Sequence, residues 1–589
     1  MTTVLGFVIA TALFRFGGAH PDLGDTIPTR LLAASIVRDR DVDLDELPGV
    51  DRRDPPYFLE AANGHLYSRF PPGGAFLLVP VYALADALGT PVLTDEEARR
   101  ELARWLGALA CAATLTMLYG TLARLGPPRR ALATAAVAGF GTSVWPIAAQ
   151  DVWQHTFALP LVAWCVAILE RAWRDEHPRL AWIGVPLGLL VLVRTPTLFL
   201  AGALALAAVL RDRRALGWLA LGAAPSMAAL VAYNWAIFRD PLGAYAEAAA
   251  RVAPWAFLPE GLAGLLVSPS HGLLLYSPVA ALALLGLARA AEPRTFALRA
   301  CYAAGFVALL VVHASSGSYA AGYPVLATWH GGWAWGPRYL LESGPLVAVL
   351  AWYGFRRIAT RRSARVVVGC AAACSIAVNA AGFYLGWTSW FASPDVDFCP
   401  GRLWSVRDNP LAAMVWGLEP ANACRPIRVR EPRFDPARTE LTFSELGDWE
   451  WLTRGWYRRH WPWQAYAGGA EAEIEIPAAA RGTVARVGLT LRSALPADQP
   501  QRVWAEAEGG SGRTVVLTPA PTEVVLALPA AGPAAPGEPI RIRLRFARWR
   551  ARTWREMLRE HRLGTEWDVR EDAAILDRLT LIHEPPPAP

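Results

Sequence analysis

The sequence predicts a polytopic α-helical membrane protein of about 11 transmembrane helices, because that many apolar runs approach the length a bilayer requires. A β-sandwich domain is expected to follow them, outside the cytoplasm. Three observations carry this reading. Of the 589 residues, 54% are hydrophobic, which places the chain among membrane proteins. The apolar runs are separated by short loops, several of them rich in Arg. Past Trp387, Pro-rich sequence gives way to short segments that alternate apolar and polar residues. The expected divisions are a membrane domain over 1–390, whose residues 17–100 form a first external loop with juxtamembrane helices, a connector over 391–435, and the β domain over 436–589.

Charge needs care before it is used. The net charge is +6, and all 57 of the Lys+Arg residues are Arg. With abundant Ala, Pro and Gly, this bias looks like codon usage. Arg richness therefore gives no case for nucleic-acid binding. No phosphate-binding loop, dinucleotide fingerprint, zinc spacing or nucleophile elbow stands in a supporting context. Of the seven cysteines, Cys111, Cys165, Cys301, Cys370 and Cys374 fall in apolar runs and read as packing residues. Cys399 and Cys424 lie in polar sequence, and a disulfide between them is open if that region faces an oxidising compartment.

Taken in order, Thr3–Phe16 is a short apolar run without a basic start or cleavage site, so it reads as a retained first helix. Phe70–Gly89 begins Pro-Pro-Gly and contains Pro80 and Asp86. Spans are expected at Leu102–Leu122, Leu132–Ala149, Thr156–Trp173, Leu216–Phe238, His271–Ala291, Ala297–Ala314, Leu340–Phe355 and Val366–Trp387. The loops RLGPPRR and RDRR, and the cluster Arg356, Arg357, Arg361, Arg362 and Arg365, should stay cytoplasmic. That parity puts 17–100 outside and makes Phe70–Gly89 a juxtamembrane helix. It also makes Leu180–Leu210 a hairpin with Arg194 at its outer tip. Each arm of about 16 residues spans roughly 24 Å, short of the roughly 30 Å hydrocarbon core. The tip is therefore sunk in the protein.

Under this topology the polar loops of chemical interest share one side. Asp25 is the acid nearest the first helix end. It suits a proton acceptor, and it equally suits a cap for the helix that TIPTRLLAASIV begins. Asp39, Asp41, Asp43, Asp45 and Glu46 resemble a calcium run but lack its Gly and terminal Glu, so they read as a solvated acidic turn. Asp151 and His155 are spaced i, i+4, which puts both on one helical face. They read either as ligands for a divalent metal or a phosphate, or as a cap and a packing residue. Gln154 stands between them. A divalent cation is the one cofactor this reading admits. Arg194 and Arg338 sit at helix ends, where Arg either grips a phosphate or snorkels. Arg30, Tyr67, Arg69 and His330 complete the candidate binding set. Trp333 and Trp335 beside His330 suit a sugar face or an interface.

The ordered motifs GDTIPTR, YSRFPPGG, TSVWPIAAQDVWQH, VRTPT, YNWAIFRDPLGAY, SPSHGLLLYSP and WHGGWAWGPRYL resemble bacterial members of the C-type-fold membrane glycosyltransferases. These are similar to protein O-mannosyltransferases and the aminoarabinose transferases of lipid A. The resemblance spans roughly residues 1–390. It implies a polyprenyl-phosphate-linked sugar donor and an extracytoplasmic glycan, lipid or protein acceptor. It also implies an inverting transfer with Asp25 as base, in the bacterial plasma (inner) membrane. Where the mannosyltransferases often carry Asp-Glu, this chain has Asp25-Thr26. Two other classes stay in view. A transporter or flippase of lipid-linked saccharides would need polar groups through the midplane. A non-catalytic, membrane-anchored sugar-binding protein would leave the polar first loop unexplained.

Beyond the membrane domain, AEAEIEIP, RVGLTLRS, QRVWAEAE, RTVVLTP, EVVLALP, PIRIRLRF and ILDRLTLIHE alternate at period two, as strands of an antiparallel sandwich do. Trp449, Trp451, Trp456, Trp461 and Trp463 precede the first of them and read as core and docking surface, or as a sugar-binding face.

Overall fold

The computed structural model describes residues 2–18, 24–47, 50, 52, 55–174, 180–244, 255–288, 292–318, 326–385, 387, 390–391, 396, 399–416, 434–443, 451–454, 456–459, 464–467, 470–480, 483–495, 500–529, 538–548, 550–551, 570–571 and 574–583. They divide into two units, one made chiefly of 1–319 and 325–385, the other chiefly of 386–562 and 567–589.

The first unit is mostly helical. Among the described residues, five helices are long and apolar enough to cross a membrane: Glu96–Leu125, Gln154–Ala172, Ala215–Phe238, Pro293–Ala314 and Arg362–Tyr384. Each overlaps an expected span. The first apolar run forms a shorter helix, Thr2–Arg15, and the juxtamembrane run forms Gly73–Ala87. Two expected spans are broken. Leu132–Ala149 is helical only to Phe140, where Gly141 ends the helix and a separate turn, Val144–Ala148, contains Pro146. His271–Ala291 splits at Ser277-Pro278 into Leu273–Tyr276, a 3-10 turn and Leu282–Gly286. Proline cannot donate to the helix ladder, which accounts for the second break, while the first falls at Gly141; in both places the apolar run hides the interruption. The loop expected over 239–270 contains a helix, Leu258–Val267, with Pro259 in its first turn. The 180–210 run breaks where expected: Gly184–Val193 ends at Arg194, whose backbone is extended, and Leu198–Arg211 resumes after a 3-10 turn.

The helix Gln154–Ala172 orders the charged groups. At its end, Glu170 pairs with Arg174 at 2.5 Å, and Arg174 reaches Glu292 at 3.1 Å and the Tyr353 hydroxyl. Arg356 lies 3.6 Å from Glu292. At its start, His155 meets Glu342. Fifteen residues of helix, roughly 22 Å, separate the two charged groups. Helices 154–172 and 344–358 thus run the same way, and 296–314 runs against them. Cys111, Cys165 and Cys301 are buried as expected, but Cys370 and Cys374 are exposed. They lie on Arg362–Tyr384, few of whose residues are buried.

Among the described residues, the second unit holds two large antiparallel sheets and a short antiparallel pairing of Arg550–Ala551 with Arg570–Glu571. All seven alternating segments form strands. One sheet runs in the order Thr522–Ala527, Val484–Ser493, Ala574–His583, Gln464–Ala467, Trp456–Arg459, with Glu440–Thr442 also on Ala574–His583, and the other runs Arg513–Leu517, Gln501–Ala507, Ile540–Phe546, Glu471–Ile476, Leu452–Arg454. Alternation sends Ile474, Ile476, Val503, Ile542 and Leu544 of one sheet into the same buried cluster as Val487, Leu489, Val524 and Leu579 of the other. The charged residues that alternate with this apolar set pair across Glu471–Ile476 and Ile540–Phe546, with Arg541 opposite Glu475, itself buried, Arg543 opposite Glu473 and Arg545 opposite Glu471. A slip of one residue would turn these charges into the apolar cluster and its apolar members out of it, so the pattern fixes the register. Trp451 and Trp456 belong to this core. Trp449, Trp461 and Trp463 lie outside the described residues. Cys399 is disulfide-bonded, and Cys424 also lies outside them.

Candidate functional site

Asp25 sits in the turn between Thr2–Arg15 and Ile27–Arg38. It does not cap the second helix. The N-cap is Thr26, which makes no side-chain capping bond. Instead the two Asp25 oxygens take separate partners: Oδ1 accepts from the Tyr57 hydroxyl at 2.7 Å, and Oδ2 from Arg338 Nη1 at 2.5 Å. Gly24 makes this possible, since a Cβ there would stand 2.7 Å from the Tyr57 oxygen. The Asp25 side chain is 19% exposed and that of Arg338 10%. Burial alone would raise the Asp25 pKa, but Arg338 and the Tyr57 hydrogen bond outweigh it, and the carboxyl is held below the ordinary aspartate range.

Arg338 is gripped on several sides. Its guanidinium packs on Trp153 at 5.2 Å and Tyr339 at 5.4 Å. The WHGGW loop closes over it. Gly331 has φ +74, and a Cβ there would come within 2.9 Å of Arg338 Nε. His330 Nδ1 accepts from the Gly332 amide at 3.1 Å, and its ring lies 5.8 Å from that of His271. Burial pushes His330 down to about 4, so it is neutral at pH 7 and acts by shape and hydrogen bonding. Trp335 is wholly buried against Tyr276, so its indole is core rather than a sugar platform.

The same Tyr339 ring also meets Arg194, 5.5 Å away, and stacks on His313 at 4.2 Å. Arg194 pairs through Nε with Glu342 at 2.6 Å, and its Nη1 reaches Gln154 Oε1 at 3.3 Å. His155 Nδ1 meets the same Glu342 oxygen at 2.7 Å. Asp25, Arg338, Gln154, Arg194 and His155 are therefore drawn into one cluster, with the His330 loop against it.

The other expected residues go elsewhere. Arg30 is fully buried and pairs with Asp151, with the Thr26 hydroxyl at 2.9 Å and with Glu96 at 2.9 Å. With its guanidinium sealed by these partners, it is a structural anchor and not a substrate contact. Asp151 and His155 do not share a helical face, because the helix begins at Gln154 and Asp151 precedes it. Asp151 also accepts from Thr26 at 2.7 Å, whereas His155 faces Glu342. They are committed to different partners and do not converge on a metal. Tyr67 lies in the hairpin Leu59–Ala62/His65–Ser68 and packs edge-on against Phe238. Arg69 donates to the Tyr57 carbonyl at 3.3 Å, behind the site.

Among the described residues, two groups have the spacing to hold a cation, Asp43/Asp45/His65 and Asp39/Asp41/Glu46. Asp45 already accepts from the Leu66 amide and Arg52 and pairs with His65, and Asp41 accepts from Ser35. These acids brace the hairpin against Ile27–Arg38.

Glu342, His313, Tyr57 and Tyr339 were not expected here. Only Glu342 carried a signal, as an acid inside an apolar run. Comparison of the chain with family models, with curated proteins and with solved structures finds no match.

Proposed function

We propose that this chain is an integral-membrane glycosyltransferase that moves a sugar from a polyprenyl-phosphate donor to an extracytoplasmic acceptor. The observation that carries the reading is one largely buried cluster holding a carboxylate, Asp25, and two arginines, Arg338 and Arg194, around Tyr339. Transfer needs a base on the acceptor side and positive charge where the leaving group develops its own. Asp25 takes the acceptor hydroxyl proton as the acceptor oxygen bonds to the anomeric carbon. The bond from that carbon to the phosphate oxygen breaks, and the lipid phosphate leaves toward the guanidinium groups, with inversion. A carboxylate offers about four lone-pair sites, and Tyr57 and Arg338 use two, so the acceptor still finds a place. The sequence resemblance points the same way.

In this reading about 11 segments are membrane-embedded, the shorter helices among them, and the two sheets form an extracytoplasmic β-sandwich. The direction of helices 154–172, 296–314 and 344–358 supports the parity derived from the Arg-rich loops, with the Asp25 cluster outside and Arg174 and Arg356 inside. An impermeant thiol reagent applied to intact cells should label both Asn63→Cys and Gly510→Cys, which are exposed positions. Labelling of one alone would overturn the topology.

The activity itself is tested in a strain lacking the gene. Its envelope glycans should lose one sugar modification, and the matching polyprenyl-phosphate sugar should accumulate. Unchanged profiles of both would count against the proposal.

A further inference from the structure

Glu342 has no part in the mechanism above, yet it lies at the centre of the cluster. It is 0% exposed, in the turn Arg338–Ser343 that leads into Gly344–Ile358. A buried carboxylate persists only where partners compensate its charge. Both described partners use one oxygen: Arg194 Nε at 2.6 Å and His155 Nδ1 at 2.7 Å from Oε1. Oε2 is buried and makes no hydrogen bond among the described residues. The contact with Arg194 is a charge pair at short range, because the Nε hydrogen does not line up on the oxygen.

A guanidinium presents five N–H groups in a rigid fork. Glu342 occupies the Nε corner of Arg194, and the Tyr339 ring lies against the group. Among the described residues the two terminal nitrogens have only long contacts, Gln154 Oε1 at 3.3 Å and His313 Nε2 at 3.4 Å. The group is thus fixed from one side while its terminal donors are weakly engaged.

We propose that Glu342 is a positioning residue, which holds Arg194 by its Nε corner so that both terminal nitrogens are presented together to the donor phosphate. The inference rests on the glycosyl-phosphate reading. Two parallel N–H donors are the geometry in which Arg grips phosphate best.

The test measures binding of farnesyl phosphate to the purified full-length chain, with farnesol as the uncharged control. The quantity read is the ratio of the two affinities. Damage to the fold lowers both affinities together, whereas a lost phosphate contact lowers the ratio. The parent should favour farnesyl phosphate. Arg194→Ala should reduce the ratio by on the order of 10–100-fold, the range for a charged hydrogen bond. Glu342→Ala should reduce it in the same direction. The double variant should be no worse than Arg194→Ala alone, because both changes remove one interaction. Should Glu342→Ala fail to fold, Glu342→Asp serves in its place. It keeps the charge but withdraws the carboxylate by one methylene, and the ratio should again fall. Losses that simply add, or a Glu342 variant with the parent ratio or a higher one, would overturn the positioning role alone. A parent that does not distinguish the two probes would overturn the phosphate reading and this inference together.

Discussion

Asp25→Asn should slow sugar transfer by about 10²–10⁴-fold, the usual consequence of losing a general base. The substitution keeps the shape of the side chain and an oxygen that Tyr57 can still reach. It removes the basic oxygen and the charge that Arg338 faces at 2.5 Å. Donor binding should therefore persist, since Arg338 is released rather than lost. Arg338→Ala should behave differently and weaken donor binding and transfer together, because the phosphate loses its partner in ground and transition states alike. Acid should affect the parent little. The Asp25 carboxyl is held below its ordinary range, so it stays ionised as pH falls, and transfer should hold steady from pH 7 to about 5. The stability it contributes has the same sign: present above the unfolded-state pKa and lost as pH falls through the depressed folded value. Purified Asp25→Asn that transfers sugar near the parent rate would remove Asp25 from the chemistry.

What the sequence made legible follows the range of the forces involved. Apolar length and period-two alternation are local, and they located the five long helices and the seven alternating strands. The short strands at 440–467 escaped because three or four residues carry too little pattern, and because Trp-rich sequence reads equally as surface. The breaks at Gly141 and Pro278 were visible as letters but were overridden by the apolar run around them. Site residues divide the same way. Asp25 was legible because it follows the first apolar segment directly, and Arg194 because it interrupts a run too long for one span. Glu342 was hidden in YLLESGPL, where an acid within an expected span was itself the signal. The role of Arg30 could not be read at all. Its spacing from Asp25 placed it near the site, but its partner Asp151 lies 121 residues away, and only the fold says that the two meet.

That pair gives the last expected result. Asp151→Ala should be among the most damaging single changes in the membrane domain while touching no substrate. Arg30 is wholly buried and Asp151 nearly so, with side chains 0% and 10% exposed. Removing one member of a buried pair strands the other charge, which costs about 3–5 kcal/mol. Glu96 and Thr26 still contact Arg30, so the lower end of that range applies. The loss should appear as a lower thermal unfolding midpoint of the detergent-purified chain, and transfer should fall with the folded fraction. Replacing both members by apolar residues of similar size, Arg30→Met with Asp151→Leu, should recover much of the midpoint, because buried ion pairs are often replaced by apolar residues at little net loss. This pattern separates a structural anchor from a ligand. Had Asp151 held a metal or the donor phosphate, Asp151→Asn would abolish transfer with the midpoint unchanged, and the apolar pair would restore stability without activity. The helix that Arg30 anchors begins two residues after Asp25, so an anchored Arg30 sets where Asp25 stands. The apolar double variant should accordingly keep measurable transfer wherever it keeps its fold, and a folded but inactive double variant would return Asp151 to the site.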